Sequence, residues 1–186
     1  MAAEVPVAPD ALRWAVERCW DGGAAPHPKP RAFVEWAVRE DVLHVAAGMR
    51  HQSPARIPDA PPGARVDGLW EFDVVESFFV GADGRYVELE LGAGGHYLAL
   101  AFAARRVASN EVPAPSLEIA WRRDAEGWRS ECAVPRHWLP EPIVAANAFA
   151  IGGGAFLAHH PTGGVQPDFH RPGSYPAVTI PSWDRA

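Results

Sequence analysis

The sequence predicts an all-β protein, a two-sheet antiparallel β-sandwich. Three observations carry this. Residues 70–103, WEFDVVESFFVGADGRYVELELGAGGHYLALAFA, alternate strictly along three strands separated by two Gly-rich turns. Helical periodicity is scarce elsewhere. Pro (19) and Gly (17) recur at intervals that suit many short strands with chemically defined turns. The 186 residues suit one domain, 1–186, able to bury a core without disulfides or metals.

The elements follow in order. Leu12–Trp20 alternates and reads as one strand. Gly22–Arg31 holds Pro26, Pro28 and Pro30 and reads as a loop. Phe33–Arg39 and Val42–Met49 form a hairpin turning at Glu40-Asp41. His51–Gly68 is a Pro-rich crossing over one end of the sandwich. In the central meander the turns are taken as Gly81–Gly84 and Gly92–Gly95. Phe72, Val74, Phe78 and Val80 then share a core face with Val87, Leu89, Leu91, Leu98, Leu100 and Phe102. The opposite face carries Glu71, Asp73, Ser77, Tyr86, Glu88, Glu90 and Tyr97. Such a sheet is half apolar and half acidic.

Glu76 breaks this pattern by falling between Val74 and Phe78 on the apolar face. A buried carboxylate is costly unless it is paired or hydrogen-bonded. Three readings are open: an ion pair with an Arg of another strand, a ligand group at the rim of the sandwich, or a bulge that turns Glu76 outward.

Beyond Val107–Pro115, a Pro-containing loop, Leu117–Arg122 and Trp128–Val134 form a second hairpin around Asp124–Gly127. Pro135–Leu139 is one helical turn. Asn147–Gly153 is an apolar strand that Phe156–His160 continues, and the tail carries a short strand at Ala177–Ile180.

Seventeen basic against 23 acidic residues give a net charge of −6 with no basic stripe, which argues against nucleic acid and anionic membranes as partners. The first twenty residues lack the charged-then-apolar order of a signal peptide, and no stretch reaches the ~20 apolar residues of a membrane span. Cys19 and Cys132 are expected as reduced thiols, and the protein as cytoplasmic.

A resemblance runs in order over residues 70–170. Its pieces are Trp70 followed by Asp73-Val74-Val75-Glu76, Tyr86 with Glu88, Gly94-Gly95, Trp128–Glu131 leading to Val134-Pro135, Asn147-Ala148-Phe149, and Pro161-Thr162 followed by Pro167-Asp168-Phe169-His170. They resemble the DOMON-like superfamily and, within it, the carbohydrate-binding module family 9-like domains. More narrowly, GLWEFDVVESFF, NAFAIGG and PDFH resemble a group of small, uncharacterised intracellular proteins of that superfamily. The resemblance implies a two-sheet sandwich without catalytic activity. In sugar-binding members two Trp rings clamp a terminal sugar, and carboxylate, Arg and Asn side chains hold its hydroxyls. Trp70 and Glu76 match the first Trp and the acidic ligand of that pattern. The chain departs at two places: His159-His160-Pro161 stands where Trp-Ser-Pro is often found, and no Arg follows Asn147-Ala148-Phe149.

The expected function is therefore a non-catalytic module binding a saccharide or polyol weakly. Trp70, Asp73, Glu76, Tyr86, Glu88 and Asn147, with His159, His160, Asp168 and His170, are expected to border one site or its supporting shell. No catalytic group, metal ligand or cofactor is assigned, and the oligomeric state is left open. The His159–His170 cluster has no established zinc spacing and reads as a hydrogen-bonded loop. Met49, the only internal Met, reads as core rather than as a haem ligand. Two other functions stay open: a hydrolase using the acidic face or the His cluster, and a structural or protein-interaction sandwich without a small ligand.

Overall fold

The structure is a computed structural model that describes residues 11–25, 30–50 and 54–179. Twelve strands form two antiparallel sheets. In chain order they are β1 (Leu12–Val16), β2 (Arg18–Cys19), β3 (Arg31–Arg39), β4 (Val42–Arg50), β5 (Val74–Gly81), β6 (Tyr86–Gly92), β7 (Tyr97–Ala104), β8 (Val107–Ala108), β9 (Ala120–Arg123), β10 (Gly127–Pro135), β11 (Ile143–Gly152) and β12 (Ala155–Ala158). The five-stranded sheet has the order β1-β3-β4-β10-β9; the seven-stranded sheet has β2-β12-β11-β5-β6-β7-β8.

The inner faces meet in one apolar core. Val34, Trp36, Val45, Met49 and Val134 of the first sheet meet Val75, Phe79, Leu89, Ala99 and Ala148 of the second. Trp36 packs on Phe79 at 4.8 Å, and its indole N–H donates to Ser77 Oγ across the sheets at 3.2 Å. Ser130 Oγ donates to Gly92 O at 2.8 Å. These two bonds satisfy polar groups between the sheets, whereas the indole N–H groups of Trp128 and Trp138 in the same core meet no acceptor among the described residues.

Several expected elements form: the β3–β4 hairpin through Glu40-Asp41, the β9–β10 hairpin through Asp124–Glu126, and a 3-10 turn at Arg136–Trp138. Three expectations are corrected. The strand at Leu12–Trp20 breaks at Glu17, so β1 joins one sheet and β2 the other. Residues 155–158 do not continue β11. Gly153 and Gly154 both take positive φ (57° and 75°), the geometry of a two-residue hairpin turn, and β12 folds back on β11. The tail contributes one bridge, Ala145 to Ala177, and Ile180 lies outside the described residues.

The third correction builds the site. Val80 pairs Tyr86 and Gly81 N–H donates to Arg85 O, so the β5–β6 loop is three residues long and not four. Gly84 closes it at φ 82°. The β6–β7 loop behaves alike, with Leu91 opposite Tyr97 and Gly95 at φ 77°. Shifting a register by one residue flips a whole strand. Two such shifts keep β5 and β7 in phase with each other and put β6 out of phase with both. Val87, Leu89 and Leu91 face the other sheet as expected. The apolar residues of β5 and β7 expected beside them, Val74, Phe78, Val80, Leu98 and Phe102, lie instead on the outer face, with Glu76, Tyr86, Glu88 and Glu90. That outer face is also covered. The chain from Pro161 onward crosses it, stacking Phe169 on Phe149 (4.2 Å) and setting Tyr175 against Phe78 (5.8 Å).

Candidate functional site: a cavity over three carboxylates

Glu76 does not stand alone. Glu90 lies directly opposite it on β6, and Glu88 is two residues before Glu90 on the same face. The three are buried at 2 %, 3 % and 0 % exposure, and each offers an oxygen within 4.8 Å of the others. Among the described residues no Arg or Lys forms an ion pair with any of them. Both oxygens of Glu90 and Oε2 of Glu88 lack a hydrogen-bond partner outside the cluster. Burial, then the charge of Glu88, lifts the Glu76 carboxyl well above its ordinary range. Burial, then the charges of Glu76 and Glu88, does the same to Glu90. Burial pushes Glu88 up to about 7 against hydrogen bonds from protonated Glu90 and Glu76 within the cluster and the charge of Arg106. The ion pair with an Arg and the outward bulge are both replaced by this cluster, because Glu76 keeps its place in the ladder.

A cavity of about 550 Å³ opens above the cluster. Its lining includes Glu76, Glu88, His170 and Arg106, with Leu100, Phe102, Ile151 and Phe169 as apolar wall. Trp70, Phe156 and Pro167 complete it. Trp70 stands 47 % exposed and Phe156 38 %. Trp70 sits in a 3-10 turn (Leu69–Glu71) anchored by fully buried Leu69, which leaves the neighbouring indole at the surface. Phe156 is exposed because β12 alternates, with Leu157 turned into the core.

Polar partners hold the remaining lining. Nδ1 of His170 shares a 2.9 Å hydrogen bond with the Tyr86 hydroxyl, and its Nε2 lies 3.6 Å from Glu88 Oε2. Burial, then the nearby Arg106 charge, pulls His170 down to about 4, so the ring is neutral at pH 7. The Tyr86 hydroxyl also accepts from Arg106 N–H at 3.0 Å. Asp168 takes the guanidinium groups of Arg105 (2.5 Å) and Arg106 (2.8 Å). Burial alone would raise Asp168; the hydrogen bonds from Arg106 and Arg105 outweigh it and hold it at about 2. Arg106 is thereby tied to Asp168 rather than to the three glutamates.

Of the expected site residues, Trp70, Glu76, Glu88 and His170 line the cavity, and Tyr86 and Asp168 support it. The other four do not line it. Asn147 ties down the next segment, with Nδ2 donating to His160 O (2.8 Å) and Oδ1 accepting from His160 N–H (3.1 Å). His159 stacks on Trp14 at 4.1 Å and bonds Ala15 O. Asp73 is buried at the entry to β5, its N–H donating to Arg56 O at 2.9 Å. The His159–His170 segment is a hydrogen-bonded loop, and its imidazoles do not converge with Asp168 on one point. The sequence reading left Glu90, Phe156 and Arg106 out of the site. The correct phase of β6 would have signalled Glu90, and a lone Phe beside a Gly-Gly turn could have signalled Phe156.

No family model matches the chain. It is 30% identical over 168 residues to the mouse (Mus musculus) UPF0462 protein C4orf33 homolog, covering 84% of this chain and 85% of that protein. The chain belongs to the UPF0462 family. The zebrafish (Danio rerio) UPF0462 protein C4orf33 homolog is likewise 30% identical, over 84% of this chain and 83% of its own length. Two solved structures share the sandwich fold of this UPF0462 chain. One is a "putative carbohydrate-binding protein" from Bacteroides uniformis (TM-score 0.66, 18% identity, 91% of this chain and 86% of that one). The other is a family 9 carbohydrate-binding module from Caldicellulosiruptor kristjanssonii in complex with glucose (TM-score 0.55, 11% identity, 90% and 83%). At these identities the likeness is one of fold. No helix among the described residues is long and apolar enough to cross a membrane.

Proposed function

We propose that this UPF0462 protein is a non-catalytic binding module for a saccharide or related polyol. We place it in the family 9-like branch of the DOMON-like superfamily, acting as one domain in the cytoplasm. One observation carries the reading: an exposed indole, Trp70, borders a cavity whose floor holds carboxylates of Glu76 and Glu88. An indole face suits the C–H face of a sugar ring, and carboxyl groups in a partly dry cavity take its hydroxyls. Phe156 offers a second apolar ring where no Trp stands. The carbohydrate-binding neighbours support the same reading at the level of fold.

A weak complex follows from one large aromatic plate: Kd ~1 mM, or about 4 kcal/mol. Titration of a mono- and disaccharide panel, followed by amide and indole chemical shifts, should move Trp70 and His170 signals and leave the five-stranded sheet unmoved. No shift at tens of millimolar for any sugar removes this reading and moves the protein-interaction sandwich to first place.

A hydrolase is the second reading, and Glu88 favours it: a carboxyl pushed up to about 7 beside another carboxyl resembles a general acid and its partner. Binding without turnover ranks first because both solved structures that share the fold are described as carbohydrate-binding proteins. Release of aryl alcohol from a panel of aryl glycosides, abolished by Glu88→Gln, would reverse that order.

A further inference from the structure

We propose that Glu76, Glu88 and Glu90 form an inner-shell site for one divalent cation at the floor of the Trp70 cavity. The inference goes beyond saccharide binding and stands or falls separately from it. The geometry is that of an ion-centred shell. Two oxygens each about 2.0–2.5 Å from one ion lie at most about 5 Å apart, and the three carboxylates offer oxygens all within 4.8 Å of one another.

A second observation points to an occupant. Glu90 is completely buried and neither of its oxygens meets a donor from outside the trio; Glu88 Oε2 is also without one. Buried carboxylates with this lack of partners are costly. The cation that could neutralise them from within the fold, Arg106, is bonded to Asp168. Glu90 is also absent from the cavity lining, so a bulky ammonium entering beside Trp70 meets only Glu76 and Glu88. A bare ion passing between those two can use all three. The donor set is oxygen only, which selects Mn²⁺, Mg²⁺ or Ca²⁺ over thiophilic metals. Water or a ligand hydroxyl from the cavity would fill the remaining positions. His170, held by Tyr86 and facing Glu88 Oε2, acts as a positioning residue.

The test uses tag-free full-length protein, stripped with EDTA and exchanged into buffer at pH 7.5. Mn²⁺ is titrated by calorimetry and by the electron paramagnetic resonance signal of the free ion. The expected result is one Mn²⁺ per chain with Kd about 10 µM or tighter. Glu90→Gln should weaken it at least about 100-fold, and Tyr86→Phe about 10-fold. The exposed control Glu126→Gln should leave it unchanged. Paramagnetic broadening in the wild-type protein locates the ion without any variant, and Trp70 and His170 signals should broaden first. Three results would overturn the proposal: no stoichiometric uptake of Mn²⁺, Mg²⁺ or Ca²⁺ at 1 mM, unchanged affinity in a folded Glu90→Gln, or broadening centred elsewhere.

Discussion

Both sheets bury glutamate on their outer faces, and they treat it in opposite ways. On the five-stranded sheet Glu35 is 5 % exposed and meets two guanidinium groups, Arg129 at 2.9 Å and Arg13 at 3.2 Å. Both guanidinium groups also lie over the Phe33 ring, at 5.5 and 5.1 Å. On the seven-stranded sheet Glu76, Glu88 and Glu90 are buried as deeply, and among the described residues no guanidinium pairs with them. Arg13 stands directly opposite Glu35 on β1, and Arg129 reaches it diagonally from β10, one strand beyond β4. The strands beside the triad instead supply Phe149 and Leu98 at the matching positions. One sheet closes its charges internally, and the other leaves them facing a cavity. Buried charge that a fold could have paired but did not is a mark of a binding site rather than of a core.

Breaking the compensated side should have the largest effect. Glu35→Gln takes from Arg129, whose side chain is only 19% exposed, the shorter of its two carboxylate contacts, leaving Glu131 at 3.4 Å, and loosens Arg13, which is 58% exposed. Removing one partner of a fully buried pair costs about 3–5 kcal/mol. The retained Glu131 contact and the exposure of Arg13 lower the expectation to about 2–3 kcal/mol. Urea denaturation measures it, and a change under about 0.5 kcal/mol would show that Glu35 and the triad are not different in kind.

The next test acts on the register that assembles the triad. Gly84 at φ 82° has open space around the position of an added Cβ, so Gly84→Ala probes backbone strain alone. A left-handed Ala costs about 1–2 kcal/mol. An unchanged stability would show that the three-residue loop is not what pins β6.

Relieving the uncompensated side should change the sign. In EDTA at pH 8, Glu90→Gln should raise stability by about 0.5–2 kcal/mol, because the wild type must either bury that charge or take up a proton on folding, and Gln keeps the shape without either cost. The pH dependence follows. Glu88 holds its proton up to about 7 in the folded chain, against 4.5 as the ordinary value. Between those values the native state binds a proton that the unfolded chain has lost. The contribution is fully present below about 4.5 and is lost as pH rises through about 7, the reverse of a salt-bridged carboxylate. Metal-free wild type should therefore lose stability from pH 5 to 7.5 relative to Glu88→Gln. Parallel curves for the two proteins would remove the unpaired-carboxylate account.

The same comparison separates what the sequence made legible from what it hid. The two sheets and the hairpins are written in alternation and turn residues, which act locally, whereas the pairing of Trp70 with Glu76 comes from the family resemblance. The phase of β6 against β5 is in neither, because it depends on whether Gly81 belongs to the strand or to the loop. Taking four residues for three turned Glu88 and Glu90 away from Glu76, so a triad read as one stray carboxylate. The covering segment was hidden for another reason. Phe169, His170 and Tyr175 pack on residues some twenty to a hundred positions earlier, and no local pattern encodes that contact. Asn147 matched a family motif, yet its amide is spent on the backbone of His160.

The smallest stability effect belongs to the residue most exposed to function. Trp36 is 2 % exposed and sits between the sheets, whereas Trp70 is 47 % exposed and its ring contacts no other aromatic side chain among the described residues. Truncating an exposed side chain that supports nothing else should change stability by no more than about 0.5 kcal/mol. Trp70→Ala should therefore melt with the wild type, keep its Mn²⁺ stoichiometry and lose its chemical-shift response to sugars. That combination would separate the aromatic plate from the carboxylate floor. A Trp70→Ala protein that loses more than about 1 kcal/mol would instead make the indole part of the packing that holds the 3-10 turn Leu69–Glu71 over the cavity. The contrast between a closed sheet and an open one would then shrink to the three glutamates alone.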